Sequence, residues 1–339
     1  MTKITISSLR DQQDVVGFFV VRSRHLRQIR DRVGQFLVIK LVDKTGEIEA
    51  KAWENAADFY YQIKENDVIK VGGYTQTYNG ILEMVISRLR VAREDEYDIA
   101  DFLPTTEKNV ESMLSELRQI VNEVKDQHLA GLLALFFEEE SLHAFAQAPA
   151  AKRVHHAYLG GLLEHTIEVV RFCEAALQIY PWLDRDLLTA GALLHDIGKV
   201  REYDYKRSID FSDEGRLLGH IVLGEEMVLQ QASKVDGFPP DTLTRLRHMI
   251  LSHHGQYEWQ SPKRPKTIEA CVLHLADYFS GQVAIFAQVL KKGTDTDSTW
   301  TAYNKFLERS VFVGDSLPRL TNEDFANQRA IMEDRFEDY

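Results

Sequence analysis

The sequence predicts a multidomain protein, an N-terminal all-β barrel followed by an all-α domain. Three observations carry that expectation. The first ninety residues hold five short runs rich in β-branched and aromatic residues, bounded by Gly, Asp and Asn. A polar stretch with a proline follows at 93–106, and beyond it every apolar pattern as far as Phe312 has the helical period. At 339 residues the chain is also too long for one small core.

The strands are read at 14–22 (DVVGFFVVR), 33–42 (VGQFLVIKLV), 46–53 (GEIEAKAW), 67–78 and 80–91. Asp43 to Gly46 and Tyr78-Asn79-Gly80 mark hairpins, because Asn-Gly tolerates positive φ. A short helix is expected between the third and fourth strands, from Glu54 to Ile63. Five strands with one helix after the third is the layout of an OB-fold barrel. Residues 1–92 are therefore assigned to an OB-fold nucleic-acid-binding domain and 93–106 to a linker. Thr106 is expected to cap a helix carrying Val110, Met113, Leu114, Leu117, Ile120, Val121 and Val124 on one stripe. The helical domain is placed at 107–315, with a polar C-terminal tail at 316–339.

Composition narrows the function. The chain carries a formal charge of −12, which argues against a polyanion partner until it is divided. Residues 1–95 come to about +2 and the remainder to about −14, so the first domain is where a nucleic acid would touch. No apolar run approaches the ~18 residues of a membrane span, and MTKITISSLRDQQD has no apolar core of the signal-peptide kind. Cys173 and Cys271 read as buried free thiols of a reducing cytoplasm. A cytoplasmic protein with no membrane partner is expected.

In the first domain, RSRHLRQIRDR places Arg22, Arg24, Arg27, Arg30 and Arg32 in what reads as the loop between strands one and two. That loop binds oligonucleotides in OB-folds; a merely solvated turn is the alternative. Phe18, Phe36, Trp53, Tyr74 and Tyr78 run through the strands. Phe36 and Trp53 are expected in the barrel core, Tyr74 and Tyr78 outside it as stacking surfaces for bases.

The second domain carries the chemistry. His165 lies in GGLLEHT, His195 and Asp196 in GALLHDIGK, His220 in LLGHIVLG, His253 and His254 in LSHHGQ, and Asp277 in LHLADYFSG. Each sits on or beside an apolar helical stripe, so each side chain should point inward. A lone His in such a helix is ordinarily a core or capping residue. Five histidines and two aspartates in this setting need partners, and a shared cation satisfies them together.

The order H…HD…H…HH…D resembles the HD superfamily of metal-dependent phosphohydrolases. With an OB-fold in front, and with HHAYLGGLLEHT and LLHDIGK, the chain is similar to the YhaM-type 3′-to-5′ exoribonucleases. The resemblance implies a first metal held by His165, His195, Asp196 and Asp277, and a second held by His220, His253 and His254 with Asp196 bridging. Some two-metal relatives add a Glu one turn before the first His, where this chain has Gly161. It further implies two divalent ions acting on a phosphodiester, with manganese favoured and iron or nickel compatible with mixed imidazole and carboxylate ligation. Asp196 and Lys199 are the expected catalytic pair, Lys199 holding phosphate oxygens unless it merely completes a helix end. Lys152, Arg153, His155 and His156 precede the first ligand helix and could contact the next phosphate or orient the ligands, a solvated basic helix start being the alternative. His274, three residues before Asp277, faces the same side and could support the ligands.

The implied activity is digestion of single-stranded RNA, with single-stranded DNA a second candidate and homo-oligomerisation open. A nucleotide or cyclic-nucleotide phosphodiesterase is the rival enzyme, and a non-catalytic single-strand-binding protein the rival of another class.

Overall fold

Alternating burial along five strands builds the first domain. They are β1 (Asp14–Gln28), β2 (Gln35–Asp43), β3 (Gly46–Ala52), β4 (Val68–Tyr78) and β5 (Ile81–Val91), with helix α1 (Ala56–Gln62) between β3 and β4. The structure is a computed structural model that describes residues 4–29, 34–152, 156–205, 209–292 and 298–314. The strands close into a barrel in the order β1-β2-β3-β5-β4, antiparallel except where β3 meets β5. Phe19, Leu37, Ile39, Leu41, Ile69 and Met84 fill its interior, and Ala56 and Ile63, at the two ends of α1, join them. Burial of each Phe, Leu, Ile or Met side chain among them contributes roughly 1.5–3 kcal/mol. Gly73 permits the closure: a Cβ there would fall 1.9 Å from the Val85 carbonyl oxygen, at the bulge where β4 shifts register against β5.

The arginine segment differs from expectation. Arg22, Arg24 and Arg27 lie within β1, which runs on to Gln28 and pairs with β2 as far as Gln28↔Gln35. A bulge between Val21 and Ser23 shifts the strand's phase, and the alternation that continues past it is polar, which hid it. Arg30 and Arg32 lie outside the described residues. Phe36 and Trp53 also depart from expectation. They stack on each other at 4.5 Å and 18° outside the core, with Trp53 43% exposed.

The stretch read as a linker forms two single 3-10 turns, and its Phe102 packs with Val20 and Val68 of the barrel. The chain divides into two compact units, Met1–Thr105 with Asp204–Ile209, and Thr106–Tyr203 with Asp210–Tyr339.

The second unit is built from α2 (Val110–Glu123), α3 (Gln127–Phe136), α4 (Glu139–Gln147), α5 (Gly161–Ile179), α6 (Arg185–Leu194), α7 (Lys199–Glu202), α8 (Asp213–Ala232), α9 (Pro240–Ser252) and α10 (Ile268–Lys292). A two-residue ladder, β6 (Tyr203–Asp204) with β7 (Asp210–Phe211), interrupts the helices where only helix was expected. The cap of α2 is Asn109, whose side chain accepts from the Ser112 amide at 2.9 Å. Thr106 instead donates to Glu164 at 2.6 Å. Cys173 is buried, its thiol pushed up to about 12 by desolvation, whereas Cys271 is exposed. Ile268–Lys291 is long and apolar enough to cross a membrane by length and composition, contrary to the sequence reading. In this fold that helix, α10, packs against α5 and α6 and carries Asp277. The tail at 316–339 lies outside the described residues.

Candidate metal centre

Helix ends, with the middle of α10, bring the seven predicted side chains together. His165 stands in the first turns of α5, whose entry needs two glycines. Gly160 has φ 80°, and a Cβ on Gly161 would sit 2.1 Å from the His156 carbonyl oxygen. No carboxylate side chain fits where Gly161 stands. His195 ends α6, and Asp196 follows it. His220 comes directly after Gly219, whose φ of 75° and ψ of 157° break α8. His253 ends α9, with His254 beyond it, and Asp277 comes from the middle of α10.

They form two triads, His165–His195–Asp277 and His220–His253–His254, each with ligand atoms within 4.8 Å of one another. Asp196 lies between them. Its Oδ2 is 3.5 Å from His165 Nε2 and 3.4 Å from His195 Nε2; its Oδ1 is 3.4 Å from His220 Nε2 and 3.6 Å from His253 Nε2.

The outer nitrogens decide what these rings can do. His195 Nδ1 donates to Ala192 O at 2.7 Å, His253 Nδ1 to Ile250 O at 2.7 Å, and His254 Nδ1 to Trp259 O at 2.8 Å. His220 Nδ1 donates to Glu202 Oε1 at 3.0 Å. His165 Nδ1 faces Ser280 Oγ at 3.2 Å, whose own hydrogen goes to Glu168 at 3.1 Å. Each Nδ1 thus has an acceptor, so a neutral ring turns the Nε2 lone pair inward. His165 Nε2 and His195 Nε2 approach to 3.2 Å. Asp196 Oδ1, His220 Nε2 and His253 Nε2 are buried without a hydrogen-bond partner. Buried polar atoms left so are costly, and a pair of divalent cations fits this donor set.

Electrostatics agree. Burial lowers the protonation of His165 and His253, and burial with the neighbouring His253 and His220 rings takes His254 down to about 3. Burial also works against a charged His195, yet the Asp196 and Asp277 carboxylates hold its value above the ordinary one. Burial favours neutral acids at Asp196 and Asp277, but Lys199 and His195 hold the first, and His165 and His195 the second, well below the usual carboxylate range. Lys199 Nζ lies 2.5 Å from Asp196 Oδ2, paired with it and buried.

Residues 162–282 match the HD domain family, and residues 20–92 match the OB-fold nucleic acid binding domain family. A 3′-5′ exoribonuclease YhaM of Shouchella clausii is 33% identical over 279 residues, 82% of this chain and 86% of that protein. A protein of the same name from a Geobacillus species is 32% identical over 283 residues, with the same coverage. The chain belongs to the YhaM family of 3′-5′ exoribonucleases. Among solved structures it is similar to the HD domain of the L. monocytogenes phosphodiesterase PgpH. That likeness is 18% in identity and 0.26 in TM-score, covering 40% of this chain and 70% of that one.

For a YhaM-family chain the supporting residues matter as much as the ligands, and several had no sequence signal. Glu168, Ser280 and Glu202 hold rings of the site, yet no spacing in the chain links 168 to 280. Despite burial, His156 and Lys108 keep Glu168 ionised. His156 is buried at φ 53°, its ring 5.6 Å from that of His165. His274 donates to the His253 carbonyl at 2.8 Å, so it supports the site through the second triad. Arg153 and His155 lie outside the described residues, and Lys152 is tied to Asp210 at 2.6 Å. Ser280→Ala removes the acceptor for His165 Nδ1 and should lower metal affinity about 10–100-fold, read by titrating the chelated protein with manganese.

Of the predicted nucleic-acid contacts, Tyr74 and Tyr78 are 44% and 60% exposed, with Lys51 Nζ 5.7 Å from the Tyr78 ring. Arg24 is turned inward on α1. Its guanidinium lies 4.1 Å over the Tyr60 ring and donates to the Tyr60 carbonyl. Arg22 and Arg27 are exposed. Arg27 is the cross-strand partner of Phe36, so it shares a face with the Phe36–Trp53 stack.

Proposed function

We propose that this chain is a metal-dependent 3′-to-5′ exoribonuclease that digests single-stranded RNA to nucleoside 5′-monophosphates. The observation that carries the reading is the division of Asp196 between two triads, one oxygen to each, in a YhaM-family sequence. When bound, two divalent ions supply an activated water and neutralise phosphoryl charge; mixed imidazole and carboxylate donors suit manganese, iron or nickel better than magnesium, and the likeness to the family favours manganese among them.

The chain's own residues do the rest. His165, His195 and Asp277 form one cation site, His220, His253 and His254 the other, and Asp196 joins them. Lys199, beside Asp196, supplies positive charge where the phosphate oxygens gather. In the barrel, Arg22, Arg27, the Phe36–Trp53 stack, Tyr74 and Tyr78 offer charge and ring faces to a single strand. A cyclic-nucleotide phosphodiesterase would leave that surface without a use. Two free thiols suit a reducing cytoplasm.

A 5′-labelled single-stranded RNA should shorten progressively with manganese and remain intact with chelator. Loss of label as mononucleotide at the first time point would overturn the polarity. Arg27→Ala should lower the log–log salt slope of strand binding by roughly 0.7, one phosphate contact. Arg24→Ala should instead lower the melting temperature, because Arg24 braces α1. An unchanged slope in Arg27→Ala would make that face of the barrel merely solvated.

A further inference from the structure

Beside the metal centre two aromatic rings lie parallel and open. Trp259 and Tyr278 stack at 5.2 Å with 5° between their planes, and they are 46% and 44% exposed. Exposed rings scattered singly are ordinary; two parallel, offset rings held together at solvent offer flat faces on which a base can stack. Each is tied to one of the triads. The Trp259 carbonyl accepts the Nδ1 hydrogen of His254 at 2.8 Å, and Tyr278 directly follows Asp277.

Those two ligands lie toward the open side of the centre. The rings of His165, His195 and His253 are fully buried, whereas Asp277 is 18% exposed and His254 is partly exposed. The aromatic pair therefore stands beside two of the three partly exposed ligands, His220 being the third. The pair is also braced. The His274 ring stands 6.1 Å from that of Trp259, and its Nδ1 donates to His253 O. Gly255, at φ 75°, lets that ring approach: a Cβ there would fall 2.2 Å from it.

We infer that the Trp259–Tyr278 stack is the platform on which the base of the 3′-terminal nucleotide rests, an inference that builds on the exoribonuclease reading. Stacking uses the π-face every base has, so the platform holds all four bases and leaves the sugar and phosphate to the metal site. Its role is substrate positioning, and its loss acts on base-bearing ends.

The test uses the full-length, manganese-loaded protein and two matched RNA strands, one ending in a base and one in an abasic 3′ residue. A third strand carries 2-aminopurine at its 3′ end behind a phosphorothioate linkage that resists hydrolysis. Wild type should favour the base-bearing end by about tenfold in kcat/KM and quench the 2-aminopurine. Trp259→Ala and Tyr278→Ala should bring the ratio near unity and abolish the quench, with bound manganese as in wild type; Trp259→Phe should keep both. Because the ratio is taken within one protein preparation, partial unfolding cancels from it. Retention of the wild-type ratio and quench by both alanine variants overturns the platform, as does a wild type without either. Quenching by a wild type that cleaves no strand overturns the exonuclease reading instead and leaves the platform as a binding site.

Discussion

Asp196→Asn should lower turnover of single-stranded RNA by about a thousandfold or more, with the melting temperature of the metal-free protein close to wild type. Each Asp196 oxygen faces a different triad, so replacing one by an amide removes the link between the two cation sites. Loss of about 4 kcal/mol of charge stabilisation is a factor of roughly 10³ in rate. The choice of Asn follows from Lys199, whose ammonium is buried and lies 2.5 Å from Asp196 Oδ2. Alanine would strand that charge and cost several kcal/mol of stability, mixing two effects; Asn keeps an oxygen that accepts from it. His143→Ala is the control, because His143 is exposed and its ring nitrogen meets the Gln147 side-chain amide of its own helix at 3.0 Å, outside both triads. Wild-type turnover by Asp196→Asn, with chelated and manganese-restored samples behaving alike, would end the two-metal reading.

How much of this was legible in the sequence depends on whether the physics is local. Each ligand sits at a helix end or on an apolar stripe, so period and capping place His165, His195 and Asp277 before any coordinates. The five strands and α1 follow from alternation and from the Asn79-Gly80 turn for the same reason. The extension of β1 through Arg22, Arg24 and Arg27 was hidden because its alternation is polar and its pairing with β2 is long-range. Trp53 was expected inside because aromatic strand residues commonly are; it stands outside because its neighbour Ala52 points into the barrel and successive side chains alternate, as Leu37 likewise turns Phe36 outward. The support of His165 by Ser280 and Glu168 is invisible for a simpler reason. Residues 115 apart in the chain meet only once α5 and α10 pack.

A closed circle of single-stranded RNA should survive conditions in which the same sequence, opened and 5′-labelled, is degraded to its last nucleotides in manganese. Helix ends and α10 surround the triads, three of the five histidine rings are fully buried, and the ligands nearest solvent are the edges of His220, His254 and Asp277. A strand end can be threaded into such a site; an uninterrupted backbone would need both flanking segments to enter with it. Attack at phosphorus then expels the 3′ oxygen of the preceding nucleotide, so the phosphate stays on the 5′ oxygen of the unit released. Chromatography of the products should show nucleoside 5′-monophosphates, and release of 3′-monophosphates would reverse the assigned direction of attack. A strand ending in a stable hairpin should stall the enzyme near the stem, because each base pair must open first. Nicking of the circle at a rate near that of the open strand would make the protein an endonuclease and remove the enclosed site from the explanation.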